Sequence, residues 1–276
     1  MQLLTRMRLY AGATGFGVIH LLPFLAFYLQ VTIWDWVVCA GLYFTRIFFI
    51  GAGYHRYFSH KSYKTSRVFQ FILAFMAQTS IQKGVLWWAS HHRKHHRYSD
   101  QKEDTHSPKQ KGVWYSHVGW VLDPNNMKTD YTLVKDFEKY PEIQFLNKNE
   151  LLPPTVLGIG CFLIGGWSML LIGFFLSTVL VWHSTFTINS LSHVFGKKRY
   201  NTKDDSRNNW ILAILTLGEG WHNNHHYYPV AARQGFKWWE YDITYYILKF
   251  LSIFRVVWDI REVPENIKKG NLAKKS

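Results

Sequence analysis

Residues 151–196 read LLPPTVLGIGCFLIGGWSMLLIGFFLSTVLVWHSTFTINSLSHVFG, a run without Asp, Glu, Lys or Arg. Roughly 20 apolar residues cross a bilayer, so these 46 residues have room for two spans. Gly165-Gly166-Trp167-Ser168, near the middle, predicts a tight turn between them. The N-terminal region repeats the pattern. Leu9 to Leu29 carries no formal charge, and Thr32 to Gly53 carries only Asp35 and Arg46, near its two ends. The expected architecture is an all-α integral membrane protein with four spans in two hairpins, at about 9–29, 32–53, 151–166 and 167–188. Buried hairpins of a soluble protein are the competing explanation, but uncharged runs of this length are rare in soluble helices.

Orientation follows from the cations. The turns, Tyr28 to Asp35 and Ile164 to Ser168, hold no Lys or Arg, whereas Gly53 to Glu150 holds 15 and Lys197 onward holds 14. The positive-inside rule places both termini and the long middle segment in the cytoplasm. The chain therefore reads as one domain, 1–276, with a cytosolic helical cap over 54–150 and 189–264 and a basic tail over 265–276. Arg6 and Arg8 precede an apolar stretch with no small-x-small site before Thr32, which favours a retained span over a cleaved signal. Val68 to Ala77 is too short to cross, and Ile243 to Trp258 is interrupted by Lys249 and Arg255; both read as helices in the headgroup region. Cys39 and Cys161 lie in apolar runs, and nothing in their setting points to a disulfide framework or thiolate metal site.

The 14 histidines are clustered. His55 and His60 fall in GYHRYFSH, His91, His92, His95 and His96 in SHHRKHHRYSD, His193 in NSLSH, and His222, His225 and His226 in GEGWHNNHHYYP. All lie on the cytoplasmic side of a topology drawn from charges alone. His92, His95 and His96 share an i, i+3, i+4 spacing, as do His222, His225 and His226, so each triplet can serve one metal or be divided between two. Asn189 and His193, four apart, share a face. His55 and His60, five apart, diverge by about 140° on an ideal helix, so their convergence predicts a helix end between them. Imidazole suits Fe, Zn, Cu and Ni. Eight or nine histidines exceed the roughly four ligands of zinc and fit a pair of five- or six-coordinate metals. The set differs from the Glu-x-x-His pattern of soluble di-iron bundles. Nucleic-acid binding explains neither the spans nor the spacing.

HRYFSH at 55–60, HRKHH at 92–96 and HNNHH at 222–226 resemble the three histidine boxes of membrane fatty-acyl desaturases, most closely the stearoyl-CoA Δ9 type. SHVGW at 116–120, NSLSH at 189–193 and GEGWHNNHH at 218–226 are similar to the same branch, and AARQGFKWWEYD at 231–242 resembles its bacterial members. The resemblance runs from about residue 10 to 264. It implies two Fe2+ held by His55, His60, His92, His95, His96, His193, His222, His225 and His226, with Asn189 acting through water. His20, His91, His106, His117 and His183 lie outside the boxes. A four-helix membrane bundle under a cytosolic cap is the fold it implies.

That resemblance implies O2-dependent insertion of a cis double bond, at Δ9, into a saturated long-chain acyl-CoA. An acyl-lipid desaturase or a related membrane di-iron hydroxylase is the alternative within enzymes. A metal carrier is the alternative outside them, but it needs ionisable ligands within spans, where only His20 and His183 lie. Unactivated C–H bonds require a redox metal, and a greasy tunnel keeps water out. Glu219, Asp100 and Asp104 are candidates to orient ligand imidazoles. Trp87, Trp88, Trp221 and Phe186 are candidates to contact the acyl chain, and Lys83, Arg93, Arg97 and Arg233 a phosphorylated head group. Animal acyl-CoA desaturases place Arg-Asp before the second box to grip CoA; Ser90-His91 stands here instead. The reading also calls for an external electron donor of cytochrome b5, ferredoxin or rubredoxin type, and for a bacterial inner membrane, or the ER membrane in a eukaryote.

Overall fold

The computed structural model describes residues 2–270, 272 and 273, with side chains from residue 12 onward. The last residues of the expected basic tail, 274–276, lie outside the described residues. Helix α1 (Gln2–Leu21) continues as a 3-10 turn over Leu22–Tyr28. Helix α2 (Ile33–Phe49) starts at a capping box, in which the Thr32 backbone N–H donates to Asp35 Oδ2 at 2.7 Å. Asp35 Oδ1 in turn accepts from Ser168 Oγ at 3.2 Å, joining the turn before α2 to the Gly165–Ser168 turn.

Two helical runs, Ile33–Ser59 and Leu152–His193, are long and apolar enough to cross a membrane. The second contains α9 (Leu152–Ser168) and is not straight. Gly165 and Gly166 leave helical geometry, with φ +65° at Gly166, a conformation that favours glycine. A Cβ built on Gly158 lies 3.5 Å from the Phe174 ring. Sixteen residues of straight helix would separate these positions by about 24 Å, so the chain reverses at the glycine pair, where the turn was expected. Arg46, fully buried on α2, reaches across to this hairpin. It donates to Thr178 Oγ1 at 2.7 Å, to Ser177 Oγ and to the Thr79 carbonyl.

The first run corrects one sequence expectation. The helix does not end between His55 and His60. It widens into a π-helix over Ile50–Ser59, and the His60 N–H donates to the His55 carbonyl at 3.2 Å. An i→i+5 bond stacks residues five apart on one side, so widening the turn achieves what a helix end was expected to do.

Beyond it, α3 (Arg67–Gln78) and α4 (Val85–Tyr98) lead into short helices α5 (Pro108–Lys111), α6 (Trp120–Leu122), α7 (Lys135–Glu138) and α8 (Pro141–Lys148). After α9 come a π-helical stretch over Met169–Leu176, α10 (Ser177–Asn189), α11 (Trp210–Leu215), α12 (His222–Tyr227), α13 (Ile243–Ile253) and α14 (Glu265–Lys269). Strands of two residues, Lys64–Thr65 and Val257–Trp258, pair antiparallel. Leu73, Leu86, Ile143, Leu146, Val181 and Leu248, all fully buried, join α3, α4, α8, α10 and α13 in one core. Each contributes about 1.5–3 kcal/mol.

The start of α4 is fixed from outside. Gly84 offers no side-chain cap; instead Asn147 Oδ1 on α8 accepts from the Leu86 and Trp87 N–H groups at 2.9 and 3.0 Å. A Cβ at Gly84 would meet that oxygen at 2.3 Å, which explains the glycine. Asn147→Ala leaves two buried donors unpaired and is expected to cost about 2 kcal/mol, with Asn147→Asp recovering most of it. Thermal unfolding of the two variants beside the wild type checks this.

Candidate metal centre

The two histidine triplets are divided in complementary fashion. Helix α4 sends His92 and His96, four apart, to one cluster and His95 to another; α12 sends His222 and His226, four apart, to the second and His225 to the first. His55 and His60 complete the first cluster and His193 the second. The result is five imidazoles and four imidazoles, each set with its ligand atoms within 4.8 Å of one another. Nε2 pairs lie 3.0 Å apart for His55 and His225, 2.8 Å for His60 and His92, 2.9 Å for His96 and His225, and 3.1 Å for His193 and His222. Nitrogens at right angles around a metal bound at about 2.1 Å lie about 3.0 Å apart, whereas tetrahedral neighbours lie about 3.4 Å apart. The spacing thus favours five- or six-coordinate geometry over tetrahedral zinc. Buried Nε2 atoms of His95 and His226 have no protein partner, as donors kept free for a cation would. Asn189 borders the small cavity that reaches His55, His92, His95 and His222.

The opposite ring nitrogens are held by carboxylates. His95 Nδ1 donates to Asp104 at 2.9 Å, His193 Nδ1 to Asp100 at 2.9 Å, His226 Nδ1 to Asp204 at 2.9 Å, and His55 Nδ1 to Glu219. Such contacts fix which nitrogen faces inward. Glu219 is itself gripped by Arg56 Nη2 at 2.9 Å and Gln234 Nε2 at 2.9 Å, and Arg56 also reaches Asp242 at 2.9 Å. Asn208 Oδ1 accepts from the Asn223 and Asn224 N–H groups at the start of α12, at 2.9 and 3.1 Å. Sequence reasoning missed Asp204, Arg56, Gln234 and Asn208. Asp204 sits in a polar stretch, KKRYNTKDDSR, whose spacing gives no sign that it turns inward.

Burial, reinforced by neighbouring imidazoles, pushes His60, His92, His96, His222 and His225 well below the usual imidazole range. Burial also takes His226 down to about 4, against the opposing pull of Asp204. For His95 burial pulls downward, but Asp104 more than offsets it and the net shift is upward. Burial alone would raise Asp100, Asp104 and Asp204, yet the imidazoles they face hold all three well below the carboxylate range. Glu219, which burial would likewise raise, is held down to about 2 by His55 and Arg56. The depressed His226 imidazole backed by the ionised Asp204 is in the protonation state a cation requires.

An apolar cavity of about 410 Å3 adjoins the clusters at His92 and Asn189, walled by α1, α4 and α10. Trp87, Trp88, Phe186 and Lys83 line it, and Lys83 pairs with Glu150 at 3.1 Å. Gln82 Nε2 and Thr185 Oγ1, 3.1 Å apart, form a polar link in the same wall that the sequence did not flag. The other candidates lie elsewhere. Arg93 pairs with Asp136 at 2.8 Å, Arg97 is exposed, Trp221 donates to the Tyr241 carbonyl at 2.8 Å, and Arg233 covers the Tyr245 ring at 5.5 Å. Ser90 and His91 are buried and both donate to the Trp87 carbonyl at 2.9 Å. Outside the clusters, His20, His183 and His117 join end to end through 3.0 Å contacts, tying α1 to α10. His106 stacks on His95 at 4.3 Å.

Residues 31–251 match the family described as Fatty acid desaturase. The chain is 40% identical over 255 residues to the sn-1 stearoyl-lipid 9-desaturase of Synechocystis sp., covering 91% of this chain and 79% of that protein. It is 37% identical over 240 residues to the chloroplastic palmitoyl-monogalactosyldiacylglycerol delta-7 desaturase of Arabidopsis thaliana, covering 86% and 64%. To the acyl-CoA C20 Delta5-desaturase of Anemone leveillei it is 34% identical over 243 residues, covering 87% and 77%. These matches place the histidine-rich, helical chain among the oxidoreductases. The chain belongs to the fatty acid desaturase family.

Two outcomes follow. Asp204→Asn is expected to weaken divalent-iron binding roughly ten- to a hundredfold, read by anaerobic Fe(II) titration. In the metal-free protein the depressed imidazoles bind fewer protons folded than unfolded, so stability falls with pH below the ordinary value of 6.5 and continues to fall toward about 4, where His226 titrates. Denaturant midpoints measured across that window, with and without iron, check the direction.

Proposed function

We propose that this chain is an integral membrane desaturase that holds two Fe2+ and inserts a cis double bond, at Δ9, into a saturated long-chain acyl group carried on a membrane lipid. The observation that carries the reading is the gathering of nine imidazoles into sets of five and four beside an apolar cavity. One iron is assigned to His55, His60, His92, His96 and His225. The other is assigned to His95, His193, His222 and His226, with Asn189 acting through water. When bound, the irons supply the redox chemistry that breaks unactivated C–H bonds. The acyl chain loses two hydrogens, and O2 is reduced to two waters with two protons from the solvent and two electrons from an external donor.

The remaining work falls to the protein. Asp100, Asp104, Asp204 and Glu219 orient the imidazoles. Trp87, Trp88 and Phe186 keep water from the reacting methylenes. Two hairpins, four spans at about 9–29, 32–53, 151–166 and 167–188, anchor a single domain, with both termini and the site on the cytoplasmic side. The charge asymmetry of the loops supports that topology.

Lipid is preferred to CoA because the positions before HRKHH, Ser90 and His91, are buried and neutral-polar and bond inward to Trp87. The first two relatives named above carry lipid substrates in their names. Acyl-CoA is the second reading, favoured by the Anemone relative's name. Expression in a desaturase-deficient host, with fatty-acid profiling by lipid class, tests both. Wild type is expected to yield Δ9 monoenes in membrane lipids and His225→Ala none. Monoenes appearing first in the acyl-CoA pool would favour the second reading, an alcohol product would indicate a hydroxylase, and metal uptake without O2 consumption a carrier.

A further inference from the structure

The net charge of +14 takes no part in the chemistry of the histidine site. Its distribution near that site is ordered. Loops 97–111 and 197–207 lie against each other: the Asp205 N–H donates to Asp100 Oδ2 at 2.8 Å, and Lys109 Nζ pairs with Asp205 at 3.1 Å. Three of their five acids are separated from the bases. Asp100, Asp104 and Asp204 turn inward, at most 8% exposed, and each touches one imidazole of the second cluster. Arg97, Lys102, Lys109, Lys111, Lys197 and Lys203 are exposed, against two surface carboxylates among the described residues of these segments, Glu103 and Asp205, the latter paired with Lys109. One layer of side chains thus separates the second cluster from a basic surface. Two hydrogen-bonded routes cross it, Asp204 to His226 and Asp205 through Asp100 to His193. The carboxylate of the first cluster, Glu219, pairs instead with a buried cation, Arg56.

We propose that this basic rim is the docking face for the external electron donor, a small acidic one-electron carrier, and that electrons enter at the second cluster. The inference rests on the desaturase reading. Two reduced carriers each give up one electron per turnover and leave oxidised, and the two protons come from water. Opposite charges across such a face steer the encounter and fix orientation. Anionic lipid headgroups could match the same cations, but they gain nothing from the thin cover over a buried redox site, so a carrier is favoured.

The test uses the iron-loaded full chain in neutral-lipid nanodiscs. The probes are a plant-type [2Fe–2S] ferredoxin and the soluble domain of cytochrome b5. The paired variant Lys102→Glu and Lys203→Glu is expected to weaken binding of whichever of these carriers the wild type binds more tightly by about tenfold at low salt, with the difference lost at high salt. Lys64→Glu, an exposed cation away from the rim that pairs with Asp259, should leave binding unchanged. Turnover driven by dithionite and a viologen, which needs no docking, should also be unchanged by the paired variant. Undiminished donor binding by the paired variant would overturn the proposal. So would equal weakening by Lys64→Glu, or an effect confined to nanodiscs containing anionic lipid. Absence of monoene with either reductant would instead strike the desaturase reading, while the binding comparison would still decide the rim.

Discussion

Everything in this molecule depends on holding nine imidazoles in two clusters with their ligating nitrogens turned toward one another. Buried polar atoms left unpaired are costly, and the protein carries several together, including His95 Nε2 and His226 Nε2. A bound cation removes that cost. Until one binds, the rings are kept from rotating toward other partners by what holds their far side: Asp104, Asp100, Asp204 and Glu219 each fix one ring. Those carboxylates are fixed in turn, Glu219 by Arg56 and Gln234, Asp100 by the Asp205 N–H, and Asp104 by the Asp100 N–H at 2.8 Å.

Four distant segments meet here because helix geometry lets two short triplets feed two centres. With a hundred degrees per residue, positions four apart stay together while the one between turns away. Helices α4 and α12 use that rule in opposite senses, which gives the clusters their five-to-four division. The Ile50–Ser59 π-helix and its C-cap supply His55 and His60 from one side of a helix, which regular geometry would not allow, and His193, after α10, completes the nine. Helix α4 both carries cluster histidines and walls the cavity, so the apolar chamber and the metal-binding nitrogens share Trp88, His92 and Asn189 as neighbours.

Much of this was legible beforehand. The charge-free run at 151–196 announced helices and a turn, and Gly166 makes the reversal where the sequence placed it. The triplet spacing announced convergence and left open whether one or two centres result; the structure divides them. Asp100, Asp104 and Glu219 were visible because they lie within a few residues of a histidine. Asp204 was not, because it reaches His226 across 22 residues from a stretch that reads as a solvated loop. Nor were Arg56 and Gln234, whose roles depend on contacts 163 and 15 residues away. Arg93 looked available for a ligand because its charge was visible and its partner Asp136, 43 residues on, was not.

The most direct measurement of the central claim is iron X-ray absorption on the purified protein loaded anaerobically with Fe(II), with metal content determined on the same sample. The account predicts two irons per chain, each surrounded by nitrogen and oxygen with a strong imidazole scattering pattern and no sulfur. Less than one iron per chain, or a single tetrahedral site, would contradict it.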